Sequence, residues 1–198
     1  MTIAETSKVY PNVRLGENVI IEDYCIVGLP FKDYSGEPTI IGDGAVIRSH
    51  SVIYAGNTIG ANFQTGHKAN LRELNNIGND VSVGTLSIVE HHVSIGNGVR
   101  IHSQAFIPEF SILEDCCWIG PNVVLTNARF PQSPTAKAEL KGPTIGIRAR
   151  IGANSTILPG ISVGSEALVG AGSVVTKPVS ERTIVVGNPA KFVRNIHY

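Results

Sequence analysis

Charge is scarce in this chain of 198 residues: Asp, Glu, Lys and Arg together make up 16%, against roughly 25% in an ordinary globular domain. The 16 basic and 16 acidic residues balance, so the basic excess of a general nucleic-acid or anionic-membrane binder is missing. No apolar run approaches the roughly 20 residues a membrane helix needs. Met1-Thr2-Ile3-Ala4-Glu5 lacks the basic stretch and apolar core of a secretory leader. Cysteine is confined to Cys25, Cys116 and Cys117, an odd number with two adjacent, which makes a poor disulfide framework. Reduced thiols and a cytoplasmic location are expected. Leucine is sparse as well, 10 residues beside 21 Val and 23 Ile. That bias, with 21 Gly and a single Met, favours strands and turns, because β-branched side chains fit a pleated surface better than a helix. Apolar residues at 42% suffice for a core, and the length suits one domain, residues 1–198.

What is present is a period of six. From Ile41 the positions Ile47, Ile53, Ile59, Thr65, Leu71, Ile77, Val83, Val89, Ile95, Ile101, Ile107, Leu113, Ile119 and Leu125 follow at steps of six, all aliphatic except Thr65. A shorter run precedes (Val9, Leu15, Ile21, Val27) and another follows from Ile145 to Val175. Glycine often succeeds the aliphatic residue, and four places on the side chain is often small, as at Ala45, Ser51, Ser87, Ala105 and Ser155. Period six is neither helix nor hairpin. It fits a short strand and a turn, with three units closing a triangular coil of 18 residues and successive coils stacking at about 4.8 Å. This is an all-β hexapeptide-repeat solenoid, a parallel β-helix.

The register breaks twice. Between Val27 and Ile41 the spacing is two residues more than the repeat allows, and over about 126–144 the repeat vanishes. A long excursion from a regular solenoid is usually functional. A short C-terminal strap or helix is expected over about 187–198.

The period also supplies coordinates. Positions i and i+4 of each hexapeptide face inward, the others outward, and residues 18 apart stack. One corner then carries Glu73, His91, Glu109 and Asn127 in a column, beside Arg72, Glu90, Pro108 and Thr126. His50, His67, His91, His92 and His102 all fall on outward positions. Acidic and imidazole groups at the root of the long loop have the makings of a base held by a carboxylate.

The repeat, covering about Val9 to Val186, resembles the left-handed β-helix acyltransferases of the hexapeptide-repeat superfamily. The tail Gly187-Asn188-Pro189-Ala190-Lys191 is similar to their G-x-P-A-K ending. The string Ile88-Val89-Glu90-His91-His92-Val93 resembles the Glu-His segment of the nucleotide-amino-sugar N-acyltransferases, as do the runs Thr65 to Glu73 and Ile119 to Asn127. Where relatives often continue the last run with Asp, Ala128 stands here. The resemblance implies a left-handed solenoid and transfer from acetyl-CoA or another short acyl-CoA to the amine of a nucleotide-linked amino sugar. His91 would be the base and Glu90 its partner, with Glu73 and Glu109 as competitors. Glu73, Glu109, Asn127, His102 and His67 are the acceptor-site candidates. The resemblance also implies a homotrimer with active sites between subunits, CoA held largely by backbone amides, and Lys177, Lys191 and Arg194 as candidates for its phosphates.

No metal, nucleic-acid or membrane partner is expected. The zinc-binding carbonic anhydrases of this fold need histidines five apart, and none are. The long loop, Arg129-Phe130-Pro131 onward, lacks the histidine of the galactoside and xenobiotic O-acetyltransferases. Two rival readings remain: sugar O-acetylation, and a non-catalytic scaffold.

Overall fold

The computed structural model describes residues 1–197, and every strand pair but one is parallel. The chain visits three sheets in rotation. Sheet A runs from Thr2–Ile3 to Thr183–Val186, sheet B from Lys8–Val9 to Val174–Val175, and sheet C from Val13–Leu15 to Ser162–Val163. Most strands are two residues long, and each pairs with the strand 18 residues on, as Gln64 with Ser82, Asn70 with Ile88 and Asn76 with Ser94. The result is a left-handed β-solenoid. No described helix is long and apolar enough to cross a membrane.

Each hexapeptide position has its own physical task. Position i is buried throughout, from Ile21 to Val185, and one such aliphatic side chain contributes about 1.5–3 kcal/mol by leaving water. Position i+4 fills the inside of the corner. Serine recurs there because the corner backbone needs partners inside the coil. Ser87 Oγ donates to the His102 carbonyl at 2.8 Å and accepts from the Ala105 N–H at 3.2 Å. Position i+3 turns the chain in the left-handed region whatever the residue: Leu74, Leu86, His92 and Phe110 have φ between 56° and 63°. A non-glycine residue there gives up about 1–2 kcal/mol, and the stacked coils on either side hold it in place. Glycine at i+1 answers to space. A Cβ on Gly66 would lie 2.2 Å from the Thr85 nitrogen of the next coil.

Two readings of the register need correction. Leu15 pairs with Ile41 and Leu113 with Ile145, so the first excursion adds eight residues to a coil of 18 and the second adds 14. The two extra residues inferred from sequence are eight, because a period of six reports an insertion only modulo six. The tail is not a helix over its central part: Lys191–Asn195 forms an antiparallel strand against Thr183–Val186 and closes sheet A. Tyr198 lies outside the described residues.

Candidate active site

The corner from sheet B to sheet C differs chemically from the other two. At i+1 the C-to-A corner has Gly16, Gly42, Gly60, Gly78, Gly96, Gly146 and Gly164, with Glu114 as the exception. The B-to-C corner has Tyr54, Arg72, Glu90, Pro108, Thr126, Leu158 and Thr176 in the same place. Larger, mostly polar side chains therefore crowd one edge of the prism. Both excursions, 30–38 and 126–143, leave from this edge and bracket it. The long loop is tied at its neck by a hydrogen bond from the Lys141 N–H to the Asn127 carbonyl, 2.9 Å.

A ladder of buried asparagines sets the backbone of this edge. Asn57 and Asn75 each donate to the Arg72 carbonyl at 2.8 Å. Their own carbonyls accept from Asn75 N (3.0 Å) and Val93 N (2.7 Å). Asn75→Val strands a buried N–H and weakens the turn that presents Arg72 and Glu73. Its expected cost is about 2–3 kcal/mol, read as a midpoint shift in urea with unchanged slope.

On that backbone, side chains pair along the stacking direction. Arg72 grips Glu73 through Nε (2.8 Å) and Nη2 (2.9 Å), reaches Glu90 at 3.5 Å and lies over the Tyr54 ring. His91 Nε2 faces Glu109 Oε1 at 3.4 Å, and Asn127 Nδ2 donates to the other Glu109 oxygen. Glu90, expected beside His91, turns to Arg72 instead. Position i+1 stacks on i+1 of the next coil and i+2 on i+2, which gives His91 the carboxylate of Glu109. Burial pushes the Glu73 carboxyl up, but the Arg72 hydrogen bonds, a backbone hydrogen bond and the Arg72 and His91 charges together outweigh it and hold the group below the usual range. Burial pushes Glu90 above that range, with Arg72 opposing and Glu109 reinforcing. Glu73 and Glu90 thus share one guanidinium, while Glu109 turns to His91 and Asn127.

Three groups here are not among the site candidates chosen from the sequence, although Arg72 and His92 are placed there on outward positions. His92 Nδ1 lies 2.8 Å from His91 Nδ1, and the Phe110 ring packs against both imidazoles at 5.7–6.0 Å. Arg72 organises the acids. Their common signal was position: i+1 and i+3 of the coils flanking His91.

The remaining candidates lie elsewhere. His67 and His102 sit on the A-to-B corner, across sheet B from His91 in the same chain. His67 contacts Ser49 (2.8 Å) and His102 packs at a tilt against Trp118, ring centroids 4.6 Å apart. Lys177 is on the His91 edge but four coils further along, about 19 Å at the sheet spacing. Lys191 and Arg194 are on the closing strand of sheet A, where Arg194 opposes Ile184.

Sheet A also carries a feature absent from the sequence reading, a groove along its outer face. A cavity of about 230 Å³ is bounded by Arg48, Ser82, Arg100 and His102. A more apolar one of about 490 Å³ lies nearer the closing strand, bounded by Cys116, Trp118, Arg150, Leu168, Gly170 and Ala171. Their outward row, Gln64, Ser82, Arg100, Trp118, Arg150 and Leu168, continues through Ile184 to Arg194.

Comparison with known proteins agrees with the repeat. Residues 76–109 match the bacterial transferase hexapeptide (six repeats), and residues 144–177 match the hexapeptide repeat of succinyl-transferase. The chain is 31% identical over 182 residues to the bifunctional protein GlmU of Acinetobacter baumannii, covering 90% of this chain but 38% of that protein. A putative acetyltransferase of Saccharomyces cerevisiae, YJL218W, is 28% identical over 125 residues, 60% of this chain and 58% of its own. The chain therefore spans less than two thirds of either relative. The Arabidopsis UDP-N-acetylglucosamine acyltransferase superposes with a TM-score of 0.58 at 16% identity, covering 98% of this chain and 74% of that one. What it shares is the fold.

Proposed function

We propose, taking as premise that this chain is a member of the hexapeptide-repeat left-handed β-helix superfamily, that it transfers an acetyl or short acyl group from CoA to the amine of a nucleotide-linked amino sugar. The observation that carries this reading is the charge around His91: Glu73, Glu90 and Glu109 against Arg72 alone. Such an edge attracts an ammonium and does nothing for a neutral hydroxyl, which favours N- over O-acylation.

The chemistry follows from the hydrogen bonds. With the Glu109 carboxylate facing His91 Nε2 at 3.4 Å and favouring the proton there, the imidazole lone pair sits on Nδ1, which faces His92 Nδ1 at 2.8 Å. An acceptor ammonium, with a pKa of about 8 by analogy with α-amino groups, takes the place of His92 and gives its proton to Nδ1. The freed amine attacks the thioester carbonyl. The C–N bond forms, the C–S bond breaks, the second proton lost by the attacking nitrogen passes to the departing thiolate, and the imidazolium returns the first to solvent. Glu109 stabilises the imidazolium in between.

The donor fits the apolar groove on sheet A. Trp118, Leu168, Gly170 and Ala171 suit a pantetheine arm, and the row leads to Arg194 at the closing strand. Groove and His91 edge lie at opposite margins of sheet B in one chain, so a complete site calls for a neighbouring copy. The outer row of sheet B is apolar at Ile26, Val52, Ile88, Phe106 and Val124. Turning that face to a three-fold axis sets each His91 edge beside the next chain's A-to-B corner, in a closed C3 assembly.

The test is thiol release from acetyl-CoA with dTDP- and UDP-linked amino sugars, each run against its hydroxyl counterpart. Release confined to hydroxyl acceptors would transfer the reading to O-acylation. Donor placement has its own check. Cys116 is the one exposed thiol among the three, while burial raises the Cys117 thiol to about 12. Alkylation should therefore modify Cys116 alone, and saturating CoA should slow it at least about tenfold. Equal rates with and without CoA would remove the donor from this groove.

A further inference from the structure

On the A-to-B corner glycine fills i+1 at Gly66, Gly84, Gly120, Gly152 and Gly170, but His102 interrupts the series and Arg48 precedes it. Both residues border the same cavity of about 230 Å³, together with Gln64, Ser82, Arg100 and Ser103. Two arginines and an imidazole converge there with hydroxyl and amide groups. Arg48 is tethered to Glu22 at 3.4 Å. Among the described residues Arg100 has no carboxylate within ion-pair distance. His102 Nε2 is buried and has no hydrogen-bond partner, an arrangement that buried polar nitrogens rarely keep unless a ligand or water completes it.

We propose that this cavity is an anion subsite that holds the diphosphate of the acceptor nucleotide, a proposal that rests on the acyl-transfer reading above. Arg100 presents a planar fork suited to two phosphate oxygens, Ser82 and Ser103 offer hydroxyl donors, and His102 Nε2–H completes the set. Axial position assigns it to the acceptor and not to CoA. The cavity is centred on the coil of Val83, which runs directly into Val89 and His91. The apolar groove begins two coils further on, at Trp118. An acceptor would then lie with its diphosphate on the sheet A face of one copy and its amine at the acidic edge of the next. Burial, reinforced by the Arg100 charge, keeps His102 below its ordinary pKa. A phosphate opposes both effects and draws a proton onto the ring.

Calorimetric titration of the full-length protein with UDP, dTDP and GDP, and separately with CoA and adenosine 3′,5′-bisphosphate, tests this without turnover. At least one nucleoside diphosphate should bind the wild type. Arg100→Ala should weaken it by about tenfold or more, the loss typical of a charge-assisted contact, with CoA affinity changed less than twofold. Arg100→Lys should recover part of the loss, since it keeps the charge without the fork. No nucleoside diphosphate binding by the wild type overturns the proposal. So does an equal loss of CoA affinity in Arg100→Ala, which would give the cavity to the donor. The two readings fail separately. Full-rate acylation of a phosphate-free amino sugar, indifferent to Arg100→Ala, keeps acyl transfer and removes this subsite. Arg100-dependent binding of UDP with no thiol release from any amine does the reverse.

Discussion

His91→Asn is expected to lower acceptor-dependent thiol release by about 10²- to 10⁴-fold, the range for loss of a positioned general base. Asparagine is polar and uncharged, ends short of the Nε2 position that faces Glu109, and has no lone pair of suitable basicity. The defect should be in kcat, because His91 is on the B-to-C edge and the groove proposed for the donor is on sheet A. It should also shrink above about pH 8, where the acceptor amine loses its own proton. A variant that releases thiol at the wild-type rate at pH 7 would sink the assigned base and leave the proton to the substrate or to solvent. A defect constant from pH 6 to pH 10 would mean that His91 positions the acceptor and does not deprotonate it.

Arg72→Met should be the most damaging single change at the edge for stability. The Glu73 side chain is only 10% exposed, and without its guanidinium it becomes a buried, unpaired carboxylate. The expected loss at pH 7 is about 3 kcal/mol, or a melting temperature lower by roughly 6–12 °C for a chain this size. The pH dependence gives the sharper signature. In the wild type the Glu73 pKa is lowered by folding, so its contribution is present above the unfolded value of about 4.3 and disappears as pH falls through the folded pKa. In Arg72→Met burial is opposed only by a backbone hydrogen bond and the His91 charge, and the folded pKa rises. Stability is then retained at acid pH and lost as pH rises through and beyond about 4.3. Melting curves for both proteins from pH 4 to pH 8 decide the matter. Parallel pH profiles would show that Arg72 contributes packing only.

Much of this could be read from the residues, because a solenoid turns sequence spacing into spatial distance. The run of aliphatic residues at steps of six identified the inward positions, and the step of 18 put Glu109 over His91, where it is found. What escaped was direction around the turn. Glu90 is adjacent to His91 in sequence but leaves the corner one position earlier, so it meets Arg72. His67 and His102 shared an outward assignment with His91 yet occupy another corner, because the period of six does not distinguish the three corners; only counting coils from an anchored strand does. The same arithmetic hid the true length of the first excursion. The sheet A groove left no mark in the period at all. Its trace was the broken glycine series at His102, a departure visible only once each corner is read separately.

Stacking at one strand spacing also makes the prism a measuring rod. Groups on one edge can be moved along the axis only in steps of about 4.8 Å, finer adjustment being left to side-chain length. A saturated acyl chain covers one such step in roughly four methylenes. The reach of a donor along sheet A is therefore graduated coil by coil, and the side chain that closes a given graduation, one residue in every 18, can change while the interior that keeps the scale stays as it is.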